Sequence, residues 1–329
     1  MPYIQPNLVL NTAIAALIQT DALTDPVPSP ATDAFLMHTE VNPVALDAKR
    51  ITVQHISGSF TKQGDIIGRK LYKINPQFHL QGSGAGTKPF YIDALEACGH
   101  VVTSGASGGS SSWLLKPTTS PRTLAMYHYA ADIRRRILGA LGTATFTFTA
   151  GDAANVQLQM LGRYEKPANS TFPTNLVLPN PRARLCENEG LTLGAYVPRA
   201  KVITFTLDEK TNEREDLNSA DGLYGIYIGD REPMVDIEFE ANPTLGTLSS
   251  TDIDPFDILA SQTYLDIGWT HGYAGGSFGG TQQFSISQAQ LVELSETETN
   301  RRRLYKGKWK LRNTTPNNEY SMLFKESLT

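Results

Sequence analysis

Gly105-Ala-Ser-Gly-Gly109 fits the string G-x-S-x-G, in which a serine hydroxyl becomes a nucleophile. That chemistry needs the serine on a strained strand-to-helix turn, with an acidic residue and then a histidine further along the chain. Ser107 instead stands in a Gly/Ser-rich run among strand-like segments, so the match reads as composition. Gly82-Ser-Gly-Ala-Gly86 sits between a strand-like and a helix-like stretch, where backbone amides can cradle a phosphate. It lacks the sixth-position glycine, because residue 87 is Thr, and reads as a connector. The six histidines (His38, His55, His79, His100, His128 and His271) show neither H-E-x-x-H nor a Cys/His cluster. The carboxylates are scattered, and spacing sets no pair apart for acid–base work. The expectation is therefore no catalytic residue, no cofactor and no metal.

Charge is more conspicuous than chemistry. Arg134-Arg135-Arg136 and Arg301-Arg302-Arg303 each stand directly before a strand-like segment. Two readings fit them, solvated turns or ion pairing across a repeated subunit contact. The run Asp208 to Asp216, with Asp208, Glu209, Glu213 and Arg214, reads as a loop at a solvated hairpin tip. It is a second candidate for bridging between copies of the chain.

Residues 1–48 read as an arm. Leu8 to Ile18 has helical apolar spacing, with Leu8, Ile14 and Leu17 as candidate docking residues, and Asp25-Pro-Val-Pro-Ser-Pro30 must be extended. Such an arm can dock on its own body or on a neighbouring subunit. From residue 49 the pattern turns to short strands. Pro76 interrupts one of them, marking it as an edge or bulged strand. Pro89 to Cys98 reads as a short helix closed by Gly99. Ser104 to Ser112 reads as a flexible Gly/Ser stretch. Thr143 to Thr149 alternates at period two, turns through Ala150-Gly151-Asp152, and returns over Val156 to Leu161 as a hairpin. Residues 166–200 are proline-punctuated, as a connector is. A second β-rich unit then spans 201–329, with a helix at Pro255 to Ala260 and an edge-like last strand at Tyr320 to Phe324.

Four landmarks of the first unit recur in order in the second. Gly64-Asp65 returns as Gly229-Asp230, Pro89-Phe90 as Pro255-Phe256, Gly108-Gly109 as Gly275-Gly276, and the first Arg triplet as the second. A long-period echo of this kind predicts one supersecondary unit used twice. The fold class expected is mainly β: two similar antiparallel β-sandwich or barrel units, each with a short packed helix, plus an N-terminal extended arm.

The chain has 329 residues, 40% hydrophobic and 19% charged, which is enough for a real core. A net charge of −4 gives no basic footprint for holding a phosphate backbone. Two cysteines, Cys98 and Cys186, are too few for a disulfide scaffold. No run approaches the roughly 18 apolar residues of a membrane span, so no membrane partner is expected.

With the β reading in place, residues 50 to 200 resemble the tail tube (major tail) proteins of long-tailed, siphovirus-like bacteriophages. The resemblance rests on a strand pair running into a Gly-rich loop, the helix Pro89 to Gly99 laid on the sandwich, the hairpin Thr143 to Tyr164, and the connector Pro167 to Pro181. It implies a structural virion protein, with no catalytic role, whose rings stack into a hollow tube that delivers DNA to the host. A duplicated chain would close a pseudo-hexameric ring as a trimer, whereas an unduplicated one would need six copies. The implied partners are further copies of itself, tape measure, tail terminator and distal tail proteins, and double-stranded DNA passing without tight binding. Assembly in the host cytoplasm and residence in the virion follow from the same resemblance. Deleting residues 1–20 is then expected to leave a folded protein unable to form long tubes. The competing classes are another virion or surface β-module, capsid-decorating or carbohydrate-binding, and a β-rich hydrolase using Ser107.

Overall fold

The computed structural model describes residues 12–35, 44–52, 64–83, 87–107, 110–176, 183–219, 222–241, 249, 252–272, 280–299 and 301–327. The chain is mainly β, with two short helices, and the strand pairings are antiparallel. No described helix is long and apolar enough to cross a membrane.

The chain begins with a correction. Thr12-Ala-Ile-Ala-Ala-Leu-Ile18 forms strand β1 (Thr12–Ile18), not a helix. Its inner residues are apolar on both faces, a pattern that a fully buried strand shares with a buried helix. β1 runs antiparallel to β8 (Leu124–Ala130), with Ile14 opposite His128, and β2 (Ala34–Phe35) closes its other edge. The described part of the arm therefore docks on its own body. Leu8 lies outside the described residues.

β3 (Val44–Ile51) and β4 (Ile66–Ile74) form a long hairpin, and β5 (Gln77–His79) continues β4 past the break at Pro76. Residue 48 falls inside β3. Helix α1 (Ile92–Glu96) is wholly buried, and Gly99, at φ +84°, turns the chain out of it. β6 (His100–Ser107) pairs with β7 (Ser110–Pro117), so the expected flexible Gly/Ser stretch is two strands.

β9 (Ile133–Thr149) and β10 (Asn155–Tyr164) make the expected hairpin, with Thr143 to Thr149 alternating as the sequence predicts. β9 is long enough to change partner along one edge. Its first part pairs with β8, and its last five residues pair with β13 (Ala200–Thr206). The connector contributes only the short β11 (Ala168–Asn169) and β12 (Thr192–Leu193).

β14 (Glu209–Glu215) and β15 (Leu223–Arg231) form a two-stranded ribbon. The charged run placed in a loop is therefore mostly strand. A ribbon wet on much of both faces needs no apolar alternation, so its pattern resembles a loop. β16 (Met234–Glu240) joins β13 to β19 (Arg302–Leu311). Helix α2 (Pro255–Ser261) is capped by Asp254, whose side chain accepts from Phe256 N and Asp257 N at 3.0 and 3.1 Å. β17 (Tyr264–His271) pairs with β18 (Thr281–Thr299), which turns into β19. β20 (Ser321–Ser327) lies between β18 and β7, an interior strand and not the expected edge. It is inside because β18, like β9, runs on past one neighbour to the next.

The halves are joined by β9–β13 and by β20–β7, and one buried cluster runs from Ile14 to Phe324. At its centre Phe146, Phe148 and Phe205 meet Trp269 and Phe284. The Trp269 and Phe284 rings stack at 4.7 Å, and Phe148 stands edge-on to Phe284 at 5.3 Å. Three of the four sequence echoes fall wholly on described residues, and two of these keep similar settings: the Pro-Phe pairs lead α1 and α2, and the Arg triplets follow the β8–β9 and β18–β19 turns. Gly64-Asp65, however, precedes β4, whereas Gly229-Asp230 lies inside β15. The glycine pairs 108–109 and 275–276 lie outside the described residues.

Candidate assembly surface and buried polar clusters

The β3–β4 hairpin is built as few monomeric surfaces are. Among the described residues β3 pairs only with β4, so no described strand covers its outer edge. The hairpin also carries four exposed aliphatic side chains: Leu46 (54% exposed), Ile51 (48%), Ile66 (58%) and Ile67 (59%). Ile51 and Ile66 are directly opposed across the strands. Toward the body the same hairpin is anchored: Leu71, Tyr72 and Ile74 are buried, and Tyr72 packs on Tyr164 at 5.1 Å. The sequence signal was the doublet Ile66-Ile67 next to Gly64-Asp65, which alone looked like any strand start.

The interface candidates read from sequence fare differently from one another. Ile14 is buried in the core and Leu17 is half-buried, both on β1. Arg134, Arg135 and Arg136 lie within β9, half-buried, and each has a partner in its own chain. Arg134 stands over the Tyr127 ring at 5.0 Å, and Arg135 reaches His128 Nδ1 at 3.1 Å. Arg136 pairs with Glu165, and with Asp25 at 3.4 Å. Tyr127 also donates its hydroxyl to Asp25, so this triplet ties the Pro-rich arm to the body. Arg301, Arg302 and Arg303 are exposed, with Arg303 Nε 3.4 Å from Glu296. The first triplet makes contacts within its own chain, whereas the second is exposed at the start of β19, although their positions echo each other.

In the charged ribbon, Arg69 of β4 pairs with Glu213 and, at 2.8 Å, with Glu215, which fixes the ribbon against the β3–β4 hairpin. Arg214 covers Tyr224 at 4.5 Å, and Lys210 is 2.6 Å from Asp208. Glu209 turns inward and is buried against Gly99, where an added Cβ would come within 2.5 Å of its carboxylate. Burial pushes its carboxyl up to about 8, against the pull of Arg231. Arg231 donates to Glu319 at 3.2 Å and to the Thr118 carbonyl at 3.0 Å. Nearby, His100 bridges the Leu95 carbonyl at 2.7 Å and the Tyr320 hydroxyl at 2.9 Å. Its burial lowers it to about 4, so it stays neutral. A pocket of about 730 Å³, lined by Glu209, Arg231, Lys310, Asn317 and Glu319 among others, opens beside this group.

A second buried cluster joins Cys186, Glu189 and His271. His271 Nδ1 is 2.9 Å from Glu189 Oε1, and ligand-type atoms of all three residues lie within 4.8 Å of one another. Cys186 and Glu189 are only two residues apart in their intervening spacing, but His271 is far along the chain, so no sequence motif marks the group.

The motif positions complete the survey. Ser107 ends β6 inside a β-hairpin, a backbone setting unlike a strand-to-helix turn. In the Gly-rich loop the Ser83 amide donates to the buried Glu326 carboxylate at 3.0 Å, where a phosphate would need it free. Set against known proteins, the chain matches no protein-family model, and a search of curated proteins returns no match.

Proposed function

We propose that this chain is a structural virion protein of the tail-tube type, which polymerises with itself into stacked rings around a channel for DNA. The observation that carries the reading is the β3–β4 hairpin, whose outer strand has no second partner among the described residues and which bears Leu46, Ile51, Ile66 and Ile67 in the open. A monomer gains nothing from such an edge and risks aggregation through it. A second copy of the chain that adds a strand there satisfies the backbone and covers the aliphatic side chains in one step. Closing sheets into a shared barrel is the general way to abolish such edges. The net charge of −4 suits a conduit through which a polyanion must slide.

In this reading the chain divides into an arm (1–48), two related units (49–165 and 201–329) and a connector (166–200). Three copies make a ring with six similar lobes. Tape measure, terminator and distal tail proteins would meet the ends of the stack.

Electron microscopy of concentrated purified protein tests it. Rings or hollow tubes with three chains and six lobes are expected. Six chains per ring would keep the function and remove the duplication. A compact monomer, combined with an edge that a cross-linker never joins to another copy, would turn the reading toward a surface module.

A further inference from the structure

Residues 183–193 are stapled to two separate β elements. Cys186 exchanges backbone hydrogen bonds with the β9–β10 turn, from its own amide to the Asp152 carbonyl at 2.8 Å and from Gly151 N to its carbonyl at 3.1 Å. The Glu189 carbonyl accepts from Thr270 N of β17 at 2.7 Å. These contacts bring the Cys186 thiol, the Glu189 carboxylate and the His271 imidazole together. His271 is 1% exposed, and its Nε2 is buried with no hydrogen-bond partner. Glu189 Oε2 is buried in the same condition. Unsatisfied buried polar atoms are a standing cost, and Oε2 leaves the carboxylate with an oxygen free to take a ligand.

We propose that Cys186, Glu189 and His271 form a three-ligand site for a zinc-class divalent transition-metal ion, which clamps the connector to β17 and to the β9–β10 turn. A sulfur, a nitrogen and an oxygen donor suit zinc or cobalt and do not suit calcium or magnesium, which take oxygen shells. Bonds of zinc length would draw the donors together by about 1 Å, within reach of side-chain rotation. His271 Nδ1 is the nitrogen that faces the carboxylate, 2.9 Å from Glu189 Oε1, so the ion would take Nδ1 and a Glu189 oxygen in place of their hydrogen bond. Three protein ligands leave one position open, next to a pocket of about 250 Å³ lined by Cys186 and Glu189 with Phe148, Asn188 and Leu191.

The same residue types also make a thiol nucleophile with its base and orienting acid. That role needs an accessible, acidified thiol. Cys186 is 5% exposed, which denies a substrate that access. A metal ion replaces the thiol proton without needing the thiolate to exist beforehand.

Cobalt(II) titration of the metal-free full-length chain provides the test. One equivalent per chain should produce a near-ultraviolet thiolate-to-cobalt charge-transfer band, which zinc abolishes by displacement. Cys186→Ser should lose the band, His271→Gln should weaken binding at least tenfold, and Cys98→Ser should keep the band as in wild type. Because replacing Cys186 can disturb the connector, zinc-edge X-ray absorption of the wild-type protein gives an independent reading, with one sulfur and otherwise nitrogen or oxygen neighbours expected. A zinc shell without sulfur, or a cobalt band that survives Cys186→Ser, would overturn the proposal. Neither outcome depends on whether the chain forms tubes.

Discussion

Glu209 is a carboxyl held away from water with neither oxygen hydrogen-bonded. Burial lifts its pKa to about 8; Arg231 opposes that rise, and Glu319, Asp208 and Asp230 add to it. Across the window from the ordinary carboxylate value to pH 8, the folded chain keeps this proton and the unfolded chain has released it. The group's contribution to stability is therefore full below that window, shrinks as pH rises through it, and is gone above pH 8. Each pKa unit is worth about 1.4 kcal/mol. Glu209→Gln keeps the shape and removes the charge, so its stability relative to wild type should rise by about 4 kcal/mol between about pH 5 and about pH 9. Urea unfolding at the two pH values measures this, and a constant difference would mean that the carboxyl titrates normally. Nothing in the sequence marked Glu209 as different from Glu213 or Glu215. Its burial depends on Gly99, a residue more than a hundred positions away whose missing side chain makes the room. Cys186, Glu189 and His271 were illegible for the same reason, since only the closed fold brings them together.

Individual elements were legible where one face is dry and the other wet. The β9–β10 hairpin showed because Phe146 and Phe148 alternate with threonines, and α2 because Pro255-Phe256 echoes the Pro89-Phe90 pair ahead of α1. β1 was misread because a strand buried on both sides has lost the alternation that identifies strands. β14 was misread because its partner and its water leave no apolar face to see. The corrected β1 changes what truncation should do. Removing residues 1–20 strips a seven-residue strand from the edge of β8 and uncovers the core, so it should lower the melting temperature of the monomer as well as affect assembly. Ile14→Ala, at 1% exposure, should cost about 2–4 kcal/mol in chemical denaturation. A loss under about 0.5 kcal/mol would mean that β1 is only loosely held. A different constraint acts within the long hairpin. Gly142 faces Met160 across β9 and β10, and a Cβ there would lie 2.2 Å from the Gln159 carbonyl oxygen. The obstacle is backbone, which cannot rotate away, so Gly142→Ala should destabilise by about 2 kcal/mol or more. Thermal unfolding that leaves this variant level with wild type would show that the strands can part without penalty.

For the whole molecule the question is why a chain with an aromatic-rich core leaves the outer edge of β3 without a partner among the described residues. The long strands are covered by exchange of neighbours: β9 passes from β8 to β13, and β18 from β20 to β19. The β3–β4 hairpin joins the sheet only through the end of β4 on β10, and its opposed Ile51 and Ile66, away from that join, are about half exposed. Burying two isoleucines against another copy would contribute about 3 kcal/mol or more, roughly two orders of magnitude in an association constant. Ile51→Lys with Ile66→Lys removes that gain and places like charges directly opposite each other on an edge where a second strand would have to add. Since neither side chain reaches the core, the double variant should keep the wild-type circular dichroism and nearly its melting temperature. If the chain assembles as proposed, the variant's sedimentation should be that of a monomer at concentrations where wild type sediments as a larger species. A parallel change on the exposed second triplet, Arg302→Glu, should alter assembly far less, because a solvated turn loses little when its charge is reversed. If the lysine pair assembles like wild type and Arg302→Glu does not, the subunit contact lies at the β18–β19 turn, and the hairpin edge must be covered by something other than a second copy.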